Sequence, residues 1–189
     1  MMLSDFQIQK IKRFFKFYDV NENDVLEYGD VEKRGHRFAK LSGAKRGTQE
    51  FNLLVHREMV IWQRMIRHND HNRDGKITLE EWLKGFTKWM QDRPSFEQYV
   101  REYVNYLFVV LDGDKDRQLT CDEYVRFAYA DNIEQGMSVF SQLDSEGVGY
   151  LTEQKLVKLA LEFFYGDDPT HPATHLWGAL HGDTAQSGV

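Results

Sequence analysis

Apolar side chains recur every three or four residues along most of this chain, the period of a helix with one buried stripe. Ile8, Ile11, Phe14, Phe15 and Tyr18 mark the first helix, from Ser4 to Tyr18, opened by the S-x-x-Q capping box of Ser4 and Gln7. The same period predicts a helix from Tyr28 to about Leu41. Another runs from Gln49 to His68, with Phe51, Leu54, Val55, Met59, Trp62, Met65 and Ile66 near one face. Thr78 and Glu81 cap a helix carrying Trp82, Leu83, Phe86, Trp89 and Met90. Pro94 ends that regularity and marks the main internal boundary, after which Ser95 and Gln98 form a capping box for a helix with Phe96, Tyr99, Val100, Tyr103, Leu107, Phe108 and Leu111. SGAKRGT, at 42–48, lacks the spacing of a phosphate loop and reads as a connector. Near the end, Leu176, Trp177 and Leu180 form a short apolar stripe fit to dock on the body, followed by a small, polar tail at 183–189 expected to be mobile.

Between these helices the apolar period gives way to twelve-residue polar stretches of one design. The fullest is DHNRDGKITLEE, residues 70–81. It places side-chain oxygens at Asp70, Asn72 and Asp74, a glycine at Gly75, an apolar residue at Ile77 and a carboxylate at Glu81. This is the EF-hand calcium loop. A hard cation of calcium's size takes six to eight oxygens at about 2.3–2.6 Å. Loop positions 1, 3 and 5 supply side chains, position 7 (Lys76) a peptide carbonyl, and position 12 a bidentate Glu. Three more loops follow the design, at 19–30, 112–123 and 144–155. In sequence order the four are loops I to IV.

In loop I the candidate ligands are Asp19, Asn21, Asn23, the Val25 carbonyl, Glu27 and Asp30. Asp24 stands where the bend wants glycine, and Asp tolerates that left-handed backbone better than most residues. Asp30 is a shorter closing residue than Glu, so this loop leans toward sixfold coordination and admits magnesium. Loop III offers Asp112, Asp114, Asp116, the Gln118 carbonyl and Glu123, the most anionic set, with Arg117 at the bend. Loop IV keeps Asp144, Gly149, Leu151 and Thr152, but Val148 offers no oxygen at position 5 and Lys155 sets an ammonium at the closing position. It is expected to stay empty and to serve its neighbour, with Leu151 against Leu119 and Leu26 against Ile77 in short antiparallel bridges. The fold class is therefore all-α, two EF-hand pairs joined in one globule: residues 1–92 with loops I and II, and 93–182 with loops III and IV and the docked tail.

Composition narrows the functions. The net charge of -6 argues against nucleic acid and for a cation as partner. One cysteine, Cys121, excludes an intrachain disulfide and, with no base partner, reads as a packing residue. There is no secretory signal, lipidation motif or membrane-length apolar run, so a soluble, cytoplasmic, monomeric protein without catalytic activity is expected.

LSDFQIQKIKRFFKFYD at the start, EEWLKG after loop II, HLWGAL near the end, a first loop closed by Asp and a disabled fourth loop resemble the sarcoplasmic calcium-binding proteins, with the calexcitins most alike. The resemblance implies a mostly helical fold of two EF-hand pairs with divalent ions in loops I to III. It further implies a calcium/magnesium buffer or a calcium sensor; the target protein of a sensor is not readable here. A second class competes: a luciferin-binding protein or calcium-triggered photoprotein, in which Trp62, Trp82, Trp89, His175 and Trp177 line an organic ligand.

Overall fold

The computed structural model describes residues 3–130 and 132–178; Leu180 and the 183–189 tail lie outside them. Eight α-helices are described. The first, α1 (Asp5–Tyr18), opens with the anticipated reciprocal cap, Ser4 Oγ accepting from the Gln7 amide at 3.1 Å and Gln7 Oε1 from the Ser4 amide at 3.0 Å. Loop I carries β1 (Val25–Leu26) and leads into α2 (Tyr28–Leu41). α3 (Gln49–Asn69), capped by Thr48, runs to loop II, which contributes β2 (Ile77–Thr78) and passes into α4 (Leu79–Gln91).

The next helix begins earlier than its capping pattern suggests. α5 (Arg93–Leu111) takes Asp92 as its N-cap, Asp92 Oδ1 accepting from the Ser95 amide. Pro94 lies inside the first turn, where its missing N–H costs nothing and its fixed φ suits a helix. Ser95 is a first-turn residue, and its hydroxyl accepts instead from Trp89 Nε1 at 3.2 Å. Beyond it come β3 (Gln118–Thr120), α6 (Cys121–Ala128), α7 (Ile133–Leu143), β4 (Tyr150–Thr152), α8 (Glu153–Tyr165) and a 3-10 turn at Pro172–His175.

The loops pair as their apolar eighth positions require. β1 and β2 are antiparallel with Leu26 opposite Ile77, and β3 and β4 with Leu119 opposite Leu151. All four of these residues are buried, so each bridge is also a core contact between two loops. Gly85 allows close crossing of α4 on the end of α3: a Cβ there would meet Asn69 Oδ1 at 2.3 Å and the His68 carbonyl at 2.7 Å.

Aromatic rings fill the interior, and Phe14 is their meeting point. It packs edge-on against Tyr18 and Phe164, each at 5.2 Å between ring centroids, and against Trp82, Phe86, Tyr103 and Trp177. α1, α4, α5, α8 and the tail are thereby joined through one side chain. The α3 stripe is centred differently from the apolar pattern. Leu54, Glu58, Trp62, Met65 and Asn69 are its buried residues, while Phe51, Met59 and Ile66 are only partly covered. Glu58 is buried because Arg34 meets it, Nε to Oε2 at 3.4 Å. Arg34 also donates to the Phe17 carbonyl and Tyr103 Oη and lies 3.8 Å over the Tyr18 ring. Burial pushes the Glu58 carboxyl up against the opposing pull of Arg34.

Side chains of the body hold the tail by its carbonyls. Gln7 and Lys10 donate to Tyr165 and Gly166, and Arg13 to Thr174 and Gly178. Tyr129 and Tyr124 donate to His175 and Leu176. Leu176 and Trp177 are buried, Trp177 against Phe14, Phe17, Tyr103, Phe127 and Phe163. The 3-10 turn at Pro172–His175 delivers Leu176 and Trp177 to these contacts. No helix among the described residues is long and apolar enough to cross a membrane.

Candidate metal centres

All four loops are wound on the same hydrogen bonds. The position-1 carboxylate turns Oδ2 to the amide of position 6: Asp24 to Asp19 at 3.0 Å, Gly75 to Asp70 at 3.0 Å, Arg117 to Asp112 at 2.9 Å and Gly149 to Asp144 at 2.6 Å. Its Oδ1 accepts from position 5, at 3.1 Å in loop I, 3.3 Å in loop II, 3.2 Å in loop III and 3.1 Å in loop IV. A carboxylate that gathers amide donors from its own loop fixes the turn before any ion arrives.

The bend is tighter than a single glycine position implies. Positive φ occurs at position 6 in Asp24, Gly75, Arg117 and Gly149, and also at position 4 in Glu22, Arg73, Lys115 and Gly147. Each non-glycine residue there carries about 1–2 kcal/mol of strain. Position 4 has no glycine signature in loops I to III, so the sequence gives no sign of it.

Loops I to III add a second layer. Position 3 accepts from the position-5 amide: Asn21 at 3.1 Å, Asn72 at 2.9 Å and Asp114 at 3.3 Å. Position 5 accepts from the position-7 amide: Asn23 at 3.0 Å, Asp74 at 2.9 Å and Asp116 at 2.7 Å. The closing carboxylate then reaches back across the loop. Asp30 accepts from Asn21 and Glu27, Glu81 from His71, Asn72 and Thr78, and Glu123 from Gly113 and Thr120. Burial works against the Glu81 charge, but the donors of Thr78, Asn72 and His71 hold its carboxyl below the usual carboxylate range. Each closing residue also sits third in its exiting helix and completes that helix's capping box. The helix therefore aims the ligand.

Loop III gathers the most charge. Oxygens of Asp112, Asp114 and Asp116 lie within 4.8 Å of one another, the one such group of three among the described residues. Loop I is set apart by cations. Lys16 Nζ lies 3.3 Å from Asp19 Oδ2 and 2.5 Å from Asp24 Oδ1, and Lys76 Nζ lies 3.3 Å from Glu27 Oε2. The candidate ligand at position 9 of loop I is thus tied to the residue at position 7 of loop II. Val25, Lys76 and Gln118, whose carbonyls are the candidate position-7 ligands, lie in or beside the strands.

Loop IV departs at the predicted positions. Val148 is 51% exposed and carries no oxygen. Lys155 turns its ammonium into the loop, 3.1 Å from Ser145 Oγ and 3.6 Å from Glu146 Oε1. The charges and oxygens of Asp19, Asp70 and Asp112 with their partners suit a hard divalent cation in loops I to III; the loop IV set does not.

Three of the aromatic residues considered for an organic ligand, Trp82, Trp89 and Trp177, pack against other rings. Trp82 lies tilted against Phe86 at 4.2 Å between centroids and donates to the Ile11 carbonyl, Trp89 stacks at 4.1 Å on His68, and Trp177 sits among five rings. A groove of about 250 Å³ between α3 and α5 is lined instead by Val60, Ile61, Tyr99, Tyr103 and Tyr106 with flanking polar residues. His175 borders a different groove, beside Phe6 and Val139. Cys121 is partly buried, and burial followed by Asp122 pushes its thiol up, away from nucleophilic use.

No family model matches the chain. Calerythrin of Saccharopolyspora erythraea is 23% identical over 161 residues, 83% of this chain and 91% of that protein. The sarcoplasmic calcium-binding protein alpha chain of Penaeus vannamei is 23% identical over 188 residues, 93% of this chain and 95% of that protein. The solved sarcoplasmic calcium-binding protein of amphioxus superposes with a TM-score of 0.76 at 18% identity, over 94% of this chain and 99% of that one. The photoprotein mitrocomin of the jellyfish Mitrocoma cellularia also shares the fold, at a TM-score of 0.69 and 19% identity over 95% and 96%. Through four paired loops, and by likeness along nearly its whole length, this chain has the EF-hand fold and is similar to calerythrin and the sarcoplasmic calcium-binding proteins.

Proposed function

We propose that this protein binds calcium reversibly at loops I, II and III, carries out no catalysis, and keeps loop IV as a scaffold. The observation that carries this reading is the closing carboxylate. In three loops it reaches back to backbone amides at the loop entrance, and in the fourth an ammonium takes its place. The Asp30 closure makes loop I the site that also takes magnesium. Residues 1–92 and 93–182 act as two pairs, each joined by its own strand bridge. The interlocked rings around Phe14, with only 6 Met in the chain, support a cytoplasmic buffer or a sensor that opens little over one exposing a Met-rich groove.

Calorimetric titration with calcium tests the assignment. Glu81→Gln and Glu123→Gln are each expected to remove one high-affinity step, weakening that loop by roughly 100-fold, or about 2.7 kcal/mol. Unchanged stoichiometry in both variants overturns it. The likeness to mitrocomin favours a second reading, a carrier of an organic chromophore. Absorbance separates the two: a visible band in the purified protein supports the carrier.

A further inference from the structure

We infer that Lys16 is a resident counter-ion of loop I and makes it the weakest and most salt-dependent of the three cation sites. The inference rests on the proposed function above and goes beyond it, because Lys16 belongs to no ligand position. It lies on α1, three residues before the loop. From there its ammonium meets two loop carboxylates at once, Asp19 Oδ2 at 3.3 Å and Asp24 Oδ1 at 2.5 Å. The contact is asymmetric in a useful way. Asp19 Oδ2 is the oxygen that already accepts the position-6 amide, whereas Oδ1 faces the Asn23 amide alone. A cation can therefore approach Asp19 through Oδ1 without evicting the lysine. The ammonium then stays as a fixed positive charge beside the ion, and its repulsion opposes binding.

Loop I is also where such a charge matters. Asn occupies positions 3 and 5, so Asp19, Glu22, Asp24, Glu27 and Asp30 carry the negative charge, and Lys16 pairs with Asp19 and Asp24. Loops II and III carry cations of their own, but Lys76 pairs with Glu27 and Arg117 with Glu153, and among the described residues no ammonium lies against Asp70 or Asp112 as Lys16 does against Asp19. The Lys16 side chain is 38% exposed and that of Asp24 70% exposed. Solvent and salt therefore screen the effect to a modest size.

The test follows backbone amide signals by NMR during calcium titration, with Asp24 reporting loop I, Gly75 loop II and Arg117 loop III. Wild type, Lys16→Met and Lys16→Arg are compared in about 0.01 M and about 0.15 M salt, where screening lengths are about 30 and 8 Å. Lys16→Met is expected to tighten loop I by about three- to tenfold at low salt, and by less at the higher salt. Loops II and III should keep their midpoints, and Lys16→Arg should behave as wild type. If wild-type loop I titrates and Lys16→Met leaves its midpoint and salt dependence unchanged, the counter-ion role is overturned while calcium binding stands. If wild-type loop I is silent and Lys16→Met makes it titrate, the role is supported in stronger form. If loop I is silent in both, both the role and the loop I assignment fall, and loops II and III remain.

Discussion

Loops III and IV lie across β3 and β4 from one another on nearly the same backbone and with opposite electrostatics. Both wind on a position-1 aspartate that takes the amides of positions 5 and 6, and both bend through positive φ at positions 4 and 6. Loop III brings three carboxylates within 4.8 Å and closes on Glu123, whereas loop IV turns the Lys155 ammonium inward. Loop shape therefore survives a partial loss of cation chemistry. Loop IV keeps the position-1 aspartate, a carboxylate at position 3 (Glu146) and the apolar position 8, and lacks side-chain oxygens at positions 5 and 12. With two ligand positions missing, loop IV still supplies the other half of the bridge to loop III.

The most damaging way to break this pairing is to leave every ligand untouched and remove the apolar contact. Leu151 is buried opposite Leu119, so Leu151→Ala should cost about 2–5 kcal/mol of stability in denaturant unfolding. It should also weaken calcium binding at loop III, which contributes none of the altered atoms. Lost stability with an unchanged loop III midpoint would mean that loop IV supports the fold but not its partner site.

The bridge contacts and the loops themselves were legible in the sequence because oxygen spacing, the bend and the apolar eighth position are all local. Signals that depend on what lies across the fold were not. Glu58 interrupts an apolar stripe, and nothing in its neighbourhood announces Arg34, twenty-four residues earlier in the chain. The start of α5 is hidden because Pro94 fits a terminator as well as a first-turn residue, and Asp92 decides it by capping Ser95. Lys16 looks like an ordinary surface residue of an amphipathic helix until the loop folds back and sets Asp24 beside it. The left-handed turn at position 4 shows a glycine only in loop IV, at Gly147.

A smaller effect sharpens the electrostatic half of the comparison. Arg117 holds a left-handed backbone at the bend of loop III and pairs with Glu153, which follows β4 in loop IV. Arg117→Gly removes about 1 kcal/mol of strain and loses a largely exposed ion pair, while glycine adds freedom to the unfolded chain. The expected net change in stability is within about 1 kcal/mol of zero. Calcium binding at loop III should tighten several-fold, roughly two- to fivefold, because a cation leaves the most anionic loop. Weaker binding instead would show that the tie to Glu153 holds loop III in position, making loop IV an electrostatic as well as an apolar support.

The smallest expected effect comes from reversing the charge that distinguishes the two loops. Lys155→Glu removes the contacts to Ser145 and Glu146, with Glu146 largely exposed, so stability should move by less than about 1 kcal/mol. Restoring the closing carboxylate should still not create a tight site, because Val148 supplies no oxygen at position 5 and the amide of position 7 has no side chain there to receive it, unlike the Asp116–Gln118 contact in loop III. Calorimetry should find the wild-type number of calcium steps. Adding Val148→Asp to the same chain should bring in one further step, since the backbone that presents these positions is already wound around Asp144. A new tight step from Lys155→Glu alone would show that the closing residue outweighs position 5. Loop IV would then differ from loop III by one charge rather than by two missing parts.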